Sequence, residues 1–137
     1  MAASLTIIPV LILGVILGIL EMVFVHKDEA GMGWLKHGFH AIPTMIIFIF
    51  ISMNIDYVIG LVGWTPQAWM TIAIRVVVGL LAAIKIAAAA KVAGRVGEKL
   101  PHTLVIAALV MVAPFAWELL LCNIDLVKTL PLNGCPV

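Results

Sequence analysis

The sequence predicts an all-α integral membrane bundle of four antiparallel transmembrane helices with both termini on the outer side. Three observations carry this expectation. Hydrophobic residues make up 64% of the 137-residue chain and charged residues 11%, at a mean hydropathy of +1.24, whereas an ordinary soluble domain is about 25% charged. Four stretches are each apolar over about 20 residues, the length a helix rising 1.5 Å per residue needs to cross roughly 30 Å of hydrocarbon. Short connections join consecutive stretches, which makes neighbours antiparallel. A soluble bundle of this length has no room to hide four helices that are apolar on every face. The same balance argues against a disordered chain, a disulfide scaffold and a nucleic-acid binder, because the net charge is +1, there are two cysteines, and no basic face exists.

The chain reads as a single transmembrane domain, 1–137. The first span, 4–25, exceeds a signal-peptide core and lacks a basic stretch before it and a small-residue cleavage site after it, so it is read as a mature helix. The second span is 39–62. The third, 66–90, begins after Gly63-Trp64-Thr65-Pro66, which supplies a turn glycine, an N-cap threonine and a proline at the first helical position. The fourth is 102–125. Pro9, Pro43 and Pro114 fall inside or near the starts of spans, where a transmembrane helix tolerates them at the expense of a kink, with the kink expected at Pro114 above all. The tail 130–137, with two prolines and a glycine, is expected to be irregular.

Orientation follows from Lys and Arg near the helix ends. The first and third connections hold Lys27, Lys36, Lys91, Arg95 and Lys99, the second holds none, and the tail holds Lys128. Both termini therefore face outward. Tyr57, Trp64, Trp69 and Trp117 fall near the outer interface and Trp34 near the inner one, as an aromatic belt would.

Gly14 and Gly18 form a G-x-x-x-G pair on the same face of the first helix as Glu21, so a close helix neighbour is expected there. On the third helix Gly79 and Ala83, continued by Ala87 and Ala90, make a matching small-residue stripe. Arg75 shares that face and should point into the bundle. Such spacings also arise by chance in apolar helices.

Ionisable groups inside a span cost about 2.5 to 3.5 kcal/mol each, so they usually face a partner, water or the bundle interior. Counted down from the outer helix ends, Asp56, Arg75 and Glu118 lie at similar depths and are expected to form a buried network, a planar guanidinium being suited to two carboxylates. Its structural reading is a polar clasp that sets helix register, and its functional reading is a proton or ion relay. The inner layer contains Glu21, His26, His37, His40 and His102, with Asp28 and Glu29 nearby. Imidazole and carboxylate together suit a transition metal or proton shuttling, and plain interfacial histidines are the alternative. Lys85, also in the inner half, either snorkels to the interface or pairs with Glu21. Cys122 and Cys135 fall at the outer face, where an oxidising compartment would permit a disulfide tying the tail to the fourth helix, unless Cys122 stays a free thiol.

No phosphate-binding glycine loop, nucleophile elbow, H-E-x-x-H or C-x-x-C is present. The first functional expectation is therefore a small structural or accessory subunit that packs against itself or a larger membrane complex. The alternative is an oligomeric proton or metal-ion channel or carrier using the two charged layers. An enzyme has the weakest support, since no nucleophile and base emerge. The expected surroundings are a bilayer, with multi-pass insertion in the cell membrane, bound lipid, and either further copies or other membrane subunits. No nucleic acid and no cofactor are expected, a transition metal entering only if the histidines converge.

Overall fold

The computed structural model describes residues 5–28, 34–65, 67–92 and 99–124, and among them every regular element is helical. They are α1 (Ile8–Asp28), α2 (Trp34–Met53), α3 (Ile55–Leu61), α4 (Ala68–Val92) and α5 (Leu100–Leu119), followed by a 3-10 turn at Leu121–Asn123. Pro66 and the tail 130–137 lie outside the described residues. Among the described residues three helices are long and apolar enough to cross a membrane, Ile8–Asp28, Ala68–Ala88 and Leu100–Asn123, and a fourth candidate is the bent pair Gly38–Met53 with Ile55–Leu61.

That bend corrects the sequence reading, which ran the second span unbroken over 39–62. α3 turns 85° away from α2. The cause is Asn54, which is buried between them. Its Nδ2 donates to the Phe50 carbonyl at 3.0 Å and to the Thr6 carbonyl at 3.2 Å, while its Oδ1 accepts the Thr6 N–H at 2.7 Å. The segment leading into α1 has backbone groups that need partners once buried. A carboxamide offers a donor and an acceptor together, as a peptide unit does, and here it shares the Phe50 carbonyl with the Asn54 backbone N–H, which also stands 3.0 Å from it. α3 then closes with the Gly63 turn: the Gly63 N–H donates to the Gly60 carbonyl and the Trp64 N–H to the Ile59 carbonyl. Gly63 adopts φ +74°, the left-handed conformation such a helix end requires. α4 begins two residues after the expected proline, at Ala68.

α1 packs on α2 and α5, α4 packs on α5 and α2, and α2 also touches α5. The two small-residue faces set the closest approaches, but not with each other. A Cβ built on Gly14 would stand 2.7 Å from the Ile46 Cα, and one on Gly18 2.6 Å from the Ile42 Cα, so the α1 glycines let α2 in rather than the third helix. A Cβ on Gly79 would stand 2.2 Å from Met111 Cγ and 3.0 Å from the Ala107 carbonyl oxygen, so this face serves α5. Ala83 is half-buried beyond it. Between the helices lies an apolar core of Val10, Leu17, Met45, Ile49, Val78, Ala82, Ile86, Ile106, Val110 and Ala113. Large apolar residues also point outward at helical spacing, Ile12, Ile16, Ile19 and Val23 on α1 and Ile72, Val76, Leu80 and Ile84 on α4. Outward faces of this kind belong against lipid.

The glycine contacts give a stability prediction for the protein in detergent. Gly18→Ala should lower unfolding stability by about 1–3 kcal/mol, because its methyl meets backbone that cannot step aside. Gly60→Ala, whose methyl would meet nothing within 4 Å, should be neutral or stabilising. Equal effects of the two would contradict the close α1–α2 approach.

Candidate functional site

At one end of the bundle the Thr6 segment, the end of α2, α3, the start of α4 and the end of α5 converge. Arg75 faces inward because it shares a helical face with Val78, Gly79 and Ala82, all buried. Its side chain is 5% exposed. The guanidinium grips Glu118 with two parallel bonds, Nη1 to Oε2 at 3.2 Å and Nη2 to Oε1, while Nε donates to the Ser52 carbonyl at 3.3 Å. The Phe115 ring lies under it, 4.2 Å from centroid to Cζ. One side chain thus ties α4 to α5 and α2, with fork geometry and a ring face that a lysine could not use in the same way.

Asp56, expected in the same buried network, is exposed in the first turn of α3. Counting depth along a straight second span put it level with Arg75; the turn at Asn54 swings it out. It still borders the same space, a polar cleft of about 370 Å³ whose walls include Thr6, Ser52, Asn54, Asp56, Tyr57, Thr71, Arg75 and Glu118. Ser52 is fully buried and its Oγ has no hydrogen-bond partner among the described residues. Trp117, assigned to the aromatic belt from sequence, is instead in the core, 3% exposed. Trp64 and Trp69 are exposed, the latter donating from its indole N–H to Gln67 at 2.7 Å. Cys122, just beyond α5, is buried and disulfide-bonded. The chain holds one other cysteine, Cys135, which lies outside the described residues.

The opposite end is built around two carboxylates of α1. Glu21, buried beside the Gly14 and Gly18 face, has Oε1 3.5 Å from Lys85 Nζ, a contact from α1 to α4. Asp28, with its side chain 1% exposed, accepts the Lys99 N–H at 2.9 Å through Oδ2, which also meets His102 Nδ1 at 2.5 Å. Lys99 Nζ stands 3.7 Å from Oδ1. The His102 ring stacks on Phe24 at 4.5 Å. The carboxylate thereby sits at the start of α5, where the helix dipole favours negative charge. Of the histidines assigned to this layer, His102 joins Asp28, His26 is half-buried near the end of α1, His40 is exposed on α2, and the side chain of His37 lies outside those described. Among the described residues no three His, Cys, Asp or Glu side chains group closely enough to hold a metal ion.

The two polar layers do not touch. Arg75 and Lys85 are ten residues apart on α4, about 15 Å along the axis, and Val78 and Ala82 between them are buried in the apolar core with Met45, Ile49, Ile106 and Val110. Sequence reasoning missed Ser52 and Asn54, and it placed Asp28 and His102 in one layer without pairing them. The first two had a signal, since Ser52-Met53-Asn54-Ile55-Asp56 places three polar residues within five at the end of an apolar span. The pairing itself had no local signal, its members lying 74 residues apart.

Removing one partner of a buried ion pair strands the other, at about 3–5 kcal/mol. Glu118 is 34% exposed, so Arg75→Met should destabilise by about the lower end of that range. Adding Glu118→Leu to Arg75→Met should recover at least half of the loss, read as unfolding midpoints in detergent. Strict additivity of the two single changes would show that the residues do not work as a pair.

The chain matches no family model, and no curated protein or solved structure matches it.

Proposed function

We propose that this is a multi-pass membrane protein that crosses the bilayer four times, in antiparallel order with both termini outward, and serves as a structural or accessory subunit. The observation that carries the proposal is charge closure. Arg75 and Lys85 each reach a carboxylate of the same chain, and a packed apolar layer separates the two pairs. Charges arranged so set helix register and leave the bundle complete in itself, with apolar faces free to meet lipid or other transmembrane helices.

Several features support the topology. Gly14 opposes Ile46 while Gly18 opposes Ile42, and Arg75 meets Glu118 while Gly79 meets Met111. Contacts whose residue numbers rise on one helix and fall on the other fit antiparallel crossings. The fourth crossing is the bent pair Gly38–Met53 with Ile55–Leu61, long and apolar enough when the two are taken as one span. α3 then suits the interface, with Ile55 and Ile59 turned in and Asp56 and Tyr57 turned out. The exposed Trp64 and Trp69 fit the outer boundary, and Lys27 and Lys99 the inner one.

A second reading, an oligomeric proton or metal-ion carrier, is favoured by one observation: the Arg75–Glu118 pair borders an open polar cleft rather than a sealed core. Gentle extraction from the native membrane separates the two readings. The accessory role predicts co-purification with other membrane subunits and no stoichiometric metal. A homogeneous homo-oligomer holding metal would reverse the order.

A further inference from the structure

The cleft beside Arg75 holds more polar capacity than the ion pair uses. Three groups charged at neutral pH line it, the Asp56 and Glu118 carboxylates and the Arg75 guanidinium, so its net charge is negative by one. Arg75 is committed to Glu118 and the Ser52 carbonyl. Asp56 is exposed, lines the open space, and has no hydrogen bond or ion pair among the described residues. In the same wall the Ser52 hydroxyl is fully buried and unpartnered. Buried polar groups normally have partners, and one left without signals a missing ligand or water. Tyr57, its ring in a T-shaped contact with Phe50 at 6.4 Å between centroids, also lines the cleft.

We infer that this cleft binds the ammonium group of a small primary amine, held by the Asp56 carboxylate with the Ser52 hydroxyl as a second acceptor. The negative balance selects a cation, and the unused acceptors ask for a ligand with several N–H donors. Volume selects against a bare ion, because about 370 Å³ is many times the roughly 30 Å³ share of one water. It lies at the lower end of the range for clefts that hold small molecules, about 300–1,000 Å³. The same ammonium chemistry arrives either on a free solute or on an ethanolamine lipid headgroup, since the cleft opens at the end of the bundle. The assignment rests on the cleft alone and stands whether or not the protein has partner subunits.

The test uses the full chain in detergent and in nanodiscs, with ethanolamine as the probe and ethylene glycol and sodium chloride as controls. Ethanolamine should raise the unfolding midpoint saturably, and neither control should. Asp56→Asn should weaken ethanolamine at least ten-fold while leaving the ligand-free midpoint unchanged. Ser52→Ala should also weaken it, yet melt no lower than the parent without ligand, since the hydroxyl it removes has no partner; a hydroxyl serving only the fold would give the opposite. If the headgroup is the source, phosphatidylethanolamine nanodiscs should stabilise the parent over phosphatidylcholine ones, and Asp56→Asn should erase that difference. The inference is overturned by no saturable response to either source, by an equal response to sodium, or by undiminished binding in both variants.

Discussion

A guanidinium carried into hydrocarbon must be answered by a fixed negative charge, and the bundle is arranged around that requirement at Arg75. The fork onto Glu118 fixes the rotation of α4 against α5, and the bond to the Ser52 carbonyl brings in the end of α2. One helical turn further along, Gly79 removes the side chain that would otherwise hold α5 away. The alignment that closes the ion pair is therefore the one that brings Met111 into the glycine gap and places Val110 and Ala113 in the core. Charge, close approach and core packing agree on one register, which is how a sequence comes to specify a single structure.

The other hairpin solves a different problem. α1 and α2 approach until Ile42 and Ile46 fill the spaces over Gly18 and Gly14, which brings the segment before α1 down beside the end of α2. Its backbone would be stranded there without Asn54. Satisfying Thr6 ends α2 and sends α3 off at 85°. The open polar cleft is the consequence: a straight helix would have carried Asp56 toward Arg75 and filled the space with a triad. At the far end, Asp28 joins α1 to the start of α5, and Glu21 with Lys85 links α1 to α4.

Much of this was legible in the sequence, though unevenly. Hydropathy located the apolar stretches because a lipid-crossing helix needs a length that composition alone reports. Glycine spacing identified faces of close approach, but not their partners, since Gly14 and Gly18 accept any ridge that fits; the matching stripe at Gly79 suggested the third helix where the second stands. Arg75 and Glu118 could be placed together because both lie on unbroken helices, where depth follows from residue count. Asp56 could not, because its depth depends on a bend caused by a bond to Thr6, 48 residues away. The His102 partnership with Asp28 was hidden for the same reason: residue type announced titratable groups, and only tertiary packing chose among them.

The proposed role rests on how these charges are closed. Two ion pairs, separated by a layer of buried apolar side chains, hold helices in place and leave no continuous polar route between them among the described residues. Proton and sodium flux across liposomes holding only the purified chain tests that claim most directly. The account predicts flux no greater than in protein-free vesicles, at any imposed gradient the vesicles survive. A flux that requires the chain, and that falls when Glu21→Gln or Glu118→Gln is introduced into folded protein, would contradict it.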